Sequence, residues 1–375
     1  MNDTYKPKIF KNIKVDGITA ETIPKGERGR IIQKFFISSI EEKFPILATN
    51  ILNVFQIPNS GNYINNVLII IKPDNTAYLY NDFPFGVRCI PKKNLKKNQL
   101  IFNNDIADII SVFFNDDLIN LNPIQGDKFI WLFRVNWVFG LYFDLSTKLE
   151  PNNVLNELGY YYKRLSYLSL YNFIDNDDSL NKMISHGWFP FIALINDGME
   201  KLLQYYNEGE KHKSIIDDLI ESFDEQKIND IANLWWSNHY FCDKKKILES
   251  GIKSYLSKTE DGYISSVKIF STELEGIVRL SFHKEYGKKP SNNELKQYIT
   301  SKGSSKFNTI GSMCIPHKFI KYLSDYIFKG FDVEQDYLPE SRHSVAHGVA
   351  DISVYNKEFA FKLFLTLDNI FYFLQ

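Results

Sequence analysis

The chain has 375 residues, and its 44 Lys and Arg against 45 Asp and Glu give a net charge of −1 at pH 7. This balance excludes a protein that binds nucleic acid through bulk positive charge alone, and leaves room only for a local basic groove. The hydrophobic content of 44% and the aromatic content of 15% exclude long disordered stretches. Three scattered cysteines (Cys89, Cys242 and Cys314) exclude a disulfide framework.

The N-terminal sequence MNDTYKPKIF lacks the apolar core of a signal peptide. No run of about 18 apolar residues occurs, which argues against a membrane-spanning helix. We therefore expect a cytoplasmic protein that makes no membrane contact. The length predicts two domains or one large one.

Residues 1–150 predict a mixed α/β domain. Its helices are expected over 27–44, ending before Pro45, and over 105–114, where DIADIISVFF begins at an acidic residue. Five strands are expected, at 67–71, 76–80, 85–90, 129–135 and 139–145. The first two flank a PDN turn and the last two flank Asn136, so each pair predicts a hairpin.

From Pro151 onward the spacing of apolar residues is typical of helices. Helical runs are predicted at 154–174, 189–206, 227–241, 264–287, 290–299 and 356–374. Gly287 is expected to end the fourth run, and Asn356 to cap the last one. The segments 175–179 and 301–306 are polar and predict loops. The fold class is therefore α+β, with a mixed domain followed by a mainly helical region.

Few motifs of known chemistry are present. The chain has no P-loop, GxGxxG, GxSxG or HExxH pattern. Its seven histidines are the informative residues, because an unperturbed histidine changes charge near neutral pH. Glu275, Arg279 and His283 follow one another at four-residue spacing and share a helical face, which we interpret as a charge ladder on the surface.

The segment LPESRHSVAHG (338–348) holds Arg342, His343 and His347 within six residues. Cleaving RNA without metal requires proton transfer from a 2′-hydroxyl and to a 5′-oxygen, and stabilisation of charge on the phosphoryl oxygens. A histidine with a pKa near neutrality suits the first two tasks. A planar, permanently charged arginine suits the third. The segment is therefore a candidate site for phosphodiester chemistry.

The spacing of Arg342 and His347 places their side chains about 140° apart on an ideal helix. They would not share a face unless the segment is irregular. Gly348 predicts that the turn ends there, which leaves His347 at a helix C-terminus, where the dipole favours imidazolium. One histidine per site leaves the acid and base roles to be shared, and a two-fold dimer would supply two of each residue.

SRHSVAHG, followed by a loop and the helix at 357–374, resembles the HEPN superfamily, whose signature is R-x4–6-H. Members are helical bundles, typically dimeric, and many are metal-independent endoribonucleases of toxin, abortive-infection and antiviral-defence systems. The resemblance implies Arg342 and His347 as the catalytic pair, with His343 and Ser344 in supporting positions. His343 stands where the family more often has Asn or Asp. The implied HEPN-like domain covers 245–375, after a 1–150 domain and a helical connecting region at 151–244.

The resemblance implies a homodimeric endoribonuclease that needs no cofactor and no metal and leaves 2′,3′-cyclic phosphate ends. Its partners would be RNA and an antitoxin or a phage-derived trigger. Lysines of the run KKNLKK are candidate phosphate contacts, namely Lys92, Lys93, Lys96 and Lys97.

Three alternatives stay open for the segment. A degenerate HEPN-like module would bind RNA, a nucleotide or a protein without cutting. His343 and His347 are four residues apart and could hold a metal with Asp351 or Glu340. The segment could also be structural, with Arg342 paired to Glu340 or Asp336.

Overall fold

The computed structural model describes residues 6–57, 66–115, 119–330 and 340–375. It confirms the α+β class, with a sheet near the N-terminus and helices toward the C-terminus. None of the helices in these described ranges is both long and apolar enough to cross a membrane.

The protein divides into two compact units. The first is drawn from 1–89 and 109–168, and the second from 90–108 and 169–375. The sequence-based ranges 1–150, 151–244 and 245–375 stay predictions.

The first unit is built on an antiparallel six-stranded sheet with the strand order β1-β6-β5-β9-β10-β4. Two short pairs, β2-β3 and β7-β8, accompany it. The strands are β1 (Lys8–Phe10), β2 (Ile18–Thr19), β3 (Ile31–Ile32), β4 (Lys34–Ser38), β5 (Asn66–Ile71), β6 (Ala77–Asn81), β7 (Gly86–Pro91), β8 (Ile106–Phe113), β9 (Lys128–Val135) and β10 (Val138–Asp144). The helices of this unit are α1 (Phe44–Val54) and α2 (Pro151–Ser166).

Both predicted hairpins are confirmed. β5 pairs with β6 across a turn in which Asn75 has a positive φ of 65°, and β9 pairs with β10 across Asn136, with φ 52°. Asn tolerates this left-handed conformation better than most residues, so it can make the tight reversal.

Strand β5 is buried at every position because both faces of the sheet are covered. Leu68 and Ile70 join a core with residues of α2, whereas Val67, Ile69 and Ile71 join a core with residues of α1. Alternate residues of a strand point to opposite faces, so one continuous apolar run serves two cores.

Two predicted helices are wrong. Residues 27–44 form β3 and β4 instead, and β4 pairs with β10, as in Phe36 opposite Tyr142. Pro45 lies in the first turn of α1, where a missing N–H costs nothing, so it starts a helix rather than ending one. Residues 105–114 contain β8, because an Ile-rich, β-branched run is stable as a strand once it has a partner, here β7.

The second unit is helical. Its helices are α3 (Leu168–Ile174), α4 (Asp177–Ser185), α5 (Met199–Asn207), α6 (Lys213–Glu221), α7 (Glu225–Trp235), α8 (His239–Cys242), α9 (Lys245–Leu256), α10 (Glu260–Tyr286), α11 (Asn292–Lys306), α12 (Pro316–Tyr322), α13 (Arg342–Ala346) and α14 (Lys357–Leu374). A π-helical turn over Leu323–Ile327 follows α12.

The predicted ends of two helices are confirmed. α10 ends at Gly287, whose φ is 67°, and α14 begins after Asn356, whose side chain accepts from the Phe359 N–H. Two predicted loops are wrong: 301–306 is the end of α11, and Asn176 caps α4 inside 175–179. Of the predicted run 189–206, only the part from Met199 is α-helical.

Helix α14 is buried on all sides, since every residue from Phe359 to Phe373 is buried. Its sequence shows an apolar stripe, but the structure covers the polar positions as well. α10, α11 and α7 pack against it. A helix enclosed in this way forms the centre of the unit, and these helices pack around it.

The close packing of α2 on β8 generates a stability prediction. A Cβ at Gly159 would lie 2.5 Å from the Ser111 Cα, so Gly159→Ala should lower the free energy of unfolding by about 1–3 kcal/mol. The control is Asn156→Ala on the exposed side of α2, which should change it by less than about 0.7 kcal/mol. Urea denaturation measures both, and equal effects would contradict the close approach.

Candidate functional site

The segment with the candidate residues forms a single helical turn, α13, which is too short to be stable alone. Ser341 caps it by accepting the Ser344 N–H at 3.2 Å. His347 is the C-terminal residue of the turn, and Gly348 follows with a φ of 70°. The predicted end of the turn is thus where the structure has it.

Ser344 faces inward. It is fully buried, and its hydroxyl donates to the Ser341 carbonyl at 2.9 Å. Its own carbonyl accepts the N–H groups of Val349 and Ala350 at 3.1 and 3.2 Å. These bonds hold the turn and the chain after it, so Ser344 supports the backbone of the site.

Arg342 is held by an ion pair with a residue of α10. Its Nη2 lies 2.5 Å from Glu275 Oε2, and the two side chains are only 15% and 10% exposed. Glu275 also accepts from Arg279 on the same helix. The interpretation of Glu275 as part of a surface ladder is therefore wrong: it faces α13 and binds two arginines.

Arg279 extends the network to the start of α11. It donates to the Pro290 carbonyl at 2.8 Å and to Asn292 Oδ1 at 2.9 Å. The Asn292 amide nitrogen lies 3.5 Å from His343 Nε2. Groups of α10, α11 and α13 thus meet around one carboxylate.

His343 stands between Arg342 and His347. Its Nδ1 lies 3.3 Å from Arg342 Nη1, which can only donate, so this ring nitrogen acts as the acceptor. Burial, followed by the charges of Arg342 and His347, lowers the pKa of His343 below its ordinary value. The lowered pKa favours the neutral form of the His343 imidazole.

His347 is exposed, and its ring centroid is 5.8 Å from that of His343. The two imidazoles lie four residues apart, on one side of the turn. His343 contacts Arg342 and lies beside His347, so it connects the two residues of the predicted pair. The structure brings three of the candidate residues to one place and directs Ser344 away.

Of the two partners expected for Arg342 as a structural residue, Glu340 has a different contact. Glu340 accepts the hydroxyl of Tyr326 at 2.7 Å, whereas Arg342 pairs with Glu275. Asp336 lies outside the described residues. In the part of the chain that the structure describes, no three His, Cys, Asp or Glu side chains are grouped so that they could hold a metal ion.

The four candidate lysines are in different surroundings. Lys92 directs its ammonium inward to the carbonyls of Ala193 and Ile195. Lys93 pairs with Asp105 at 2.6 Å. Lys96 and Lys97 are exposed and remain candidate phosphate contacts.

In comparisons with protein-family models, with curated proteins and with solved structures, the chain matches none.

Sequence reasoning missed the role of Glu275 and Asn292. The signal for Glu275 was present in its four-residue spacing to Arg279, which predicts a shared helical face. Which face of α10 meets α13 depends on packing, so the spacing alone could not separate a buried pair from an exposed one.

The shared carboxylate generates a second prediction. Glu275→Gln should lower the free energy of unfolding by about 2–3 kcal/mol, since it leaves two partly buried guanidinium groups without their counter-charge. Glu285→Gln, on the same helix, is the control: its pair with Lys302 is 39% and 37% exposed and should contribute less than about 1 kcal/mol. Thermal and urea unfolding compare the two, and similar losses would argue against the role given to Glu275.

The third prediction concerns the protonation of His343. Its pKa, followed by NMR of the ring C–H groups, should lie below about 6.5 and rise in Arg342→Gln, because a neighbouring positive charge is removed. His317 is the internal control: its pKa is lowered by burial and by Lys318, so Arg342→Gln should not move it. Because the unfolded protein takes up this proton at a higher pH than the folded protein, the free energy of unfolding should be fully retained above about pH 6.5. It should decline as the pH falls toward the pKa of His343 in the folded state. A His343 titration unaffected by Arg342→Gln would refute the contact.

Proposed function

We propose that the protein is a metal-independent endoribonuclease whose site is formed by Arg342, His343 and His347. One observation carries the proposal: a guanidinium, an imidazole whose neutral form is favoured and an exposed imidazole are held together on one turn. The HEPN resemblance supports it, and an α-helical second unit agrees with such a fold.

The charges of the network suit an anionic substrate. Two guanidinium groups, Arg279 and Arg342, share one carboxylate, Glu275, so one net positive charge is left. Within the described residues Arg342 Nε is a buried donor with no hydrogen-bond partner. A phosphoryl oxygen arriving beside Arg342 would meet this charge.

The reaction would proceed by attack of the 2′-oxygen on the adjacent phosphorus. A neutral imidazole takes the 2′-hydroxyl proton as the new P–O bond forms, and the lowered pKa of His343 favours the neutral state. A second imidazole gives a proton to the 5′-oxygen as the old P–O bond breaks, a role that suits the exposed His347. Arg342 stabilises the charge on the phosphorane. The products are a 2′,3′-cyclic phosphate and a 5′-hydroxyl.

The wider context follows from the resemblance. The protein would act in the cytoplasm, as a toxin or within an anti-phage defence system. A homodimer would bring two α13 turns together and supply two copies of each side chain to one cleft. An antitoxin or a phage component would control it.

Cleavage of a labelled single-stranded RNA and of total tRNA in EDTA tests the proposal. The wild type should cut, and His347→Ala should reduce the rate by about 10²-fold or more. His212→Ala replaces another exposed histidine and should retain activity. Full activity in His347→Ala, or activity that requires a divalent ion, would contradict the assignment.

A non-catalytic RNA-binding module is the second candidate. It is favoured by the ion pair of Arg342 with Glu275, since an arginine held in this way can serve the fold alone. Expression in a growing host separates the two functions. A nuclease should slow growth and lose this effect in His347→Ala, whereas a binding module should affect growth equally in both forms.

A further inference from the structure

A separate cavity of about 450 Å³ lies in the second unit, beside the C-terminal half of α14. Residues of α7, of 193–197 and of 92–105 complete its walls. None of the residues of the Arg342 network lines it. Its volume is in the usual range for small-molecule sites, about 300–1,000 Å³.

Lys92 forms one polar side of the cavity, and its backbone is fixed at both ends. Its N–H donates to the Asp105 carbonyl at 2.7 Å, and its carbonyl accepts the hydroxyl of Tyr372. The ammonium donates to the Ile195 carbonyl. Burial lowers the pKa of Lys92 to about 8, although the charges of Asp197 and Asp368 oppose the shift. The cation is thus held inside without a carboxylate partner among the described residues.

Asp368 is a buried acidic residue in the wall of the same cavity. It is 2% exposed on the enclosed helix α14, and its Oδ1 accepts the indole N–H of Trp235 at 2.9 Å. Burial raises the pKa of Asp368 to about 7, although the indole and the charge of Lys92 oppose the shift. Lys92 and Asp368, both among the described residues, line the same cavity but do not pair.

The other lysines that line the cavity already have partners. Lys93 pairs with Asp105 at 2.6 Å, and Lys227 pairs with Asp197 at 2.5 Å. A ligand with a large negative charge, such as a nucleotide phosphate, would have to break one of these pairs. Asp230 also lines the cavity, but it is exposed and accepts from the Gln226 amide. The buried cation and carboxyl that remain match a molecule that carries one charge of each sign.

We propose that this cavity binds a zwitterionic α-amino acid with an apolar side chain. The α-carboxylate would accept from Lys92, the α-ammonium would donate to Asp368, and the side chain would pack against Ile231, Leu234 and Tyr372. The ligand would give each group a direct ion pair, which neither has among the described residues, and this compensates for removing their charges from water. The proposal concerns a different site from the nuclease and does not depend on it.

Thermal unfolding and calorimetry of the full chain with each of the common amino acids test the proposal. Leucine, isoleucine, methionine or phenylalanine at millimolar concentration should raise the melting temperature, because a ligand that binds only the folded state stabilises it. Matched analogues identify the groups that are recognised: 3-methylbutylamine lacks the carboxylate of leucine, and 4-methylpentanoate lacks its ammonium. Each should bind at least tenfold more weakly than leucine.

Two variants and a control variant test whether the ligand binds in this cavity. Lys92→Met and Asp368→Asn should each weaken binding at least tenfold, and Lys97→Met, at an exposed lysine of the same run, should not. The analogues on the wild type decide the question even if a variant fails to fold. The proposal is overturned if no amino acid binds, if the amine or the acid binds as well as the amino acid, or if binding survives in folded Lys92→Met and Asp368→Asn.

Discussion

The second unit depends on the complete enclosure of helix α14. An enclosed helix cannot leave its polar side chains to water, so each must find a partner inside the protein. Lys362 donates to the His186 carbonyl at 2.7 Å, Thr366 bonds Tyr322 at 2.8 Å, and Asn369 accepts the Ile192 N–H at 3.1 Å. These bonds fix which neighbour lies on which side of α14, whereas its apolar residues alone would permit many arrangements.

The geometry of the candidate site depends on this core, and α10 makes the connection. One face of α10 packs on α14, and Glu275 on α10 binds Arg342. A five-residue turn has little stability of its own, so the ion pair and the Ser341 cap hold the guanidinium and the two imidazoles in place. The cavity beside Lys92 uses α14 differently: Asp368 on the helix and Lys92 on the segment after β7 line the same cavity.

The sequence predicted those elements whose signals are local. The β5–β6 and β9–β10 hairpins follow from turn residues between β-rich runs, and the ends of α10 and α14 follow from Gly287 and Asn356. It failed at 27–44 and 105–114, where apolar residues occur at spacings that fit either a helix or a strand. Pairing of β4 with β10 and of β8 with β7 decided these cases, and pairing joins residues far apart in the chain.

The sequence by itself determined the α+β class, the candidate residues Arg342, His343 and His347, and the end of their turn at Gly348. Only the tertiary structure decided that Glu275 is the partner of Arg342, that Ser344 faces inward, and that Lys92 belongs to a cavity instead of an open surface. The physical reason is that composition, caps and turns act over a few residues. Ion pairing and burial depend on which helical faces meet. In this protein an ion pair joins Glu275 and Arg342, which are 67 positions apart, and one cavity is lined by Lys92 and Asp368, which are much farther apart in the chain.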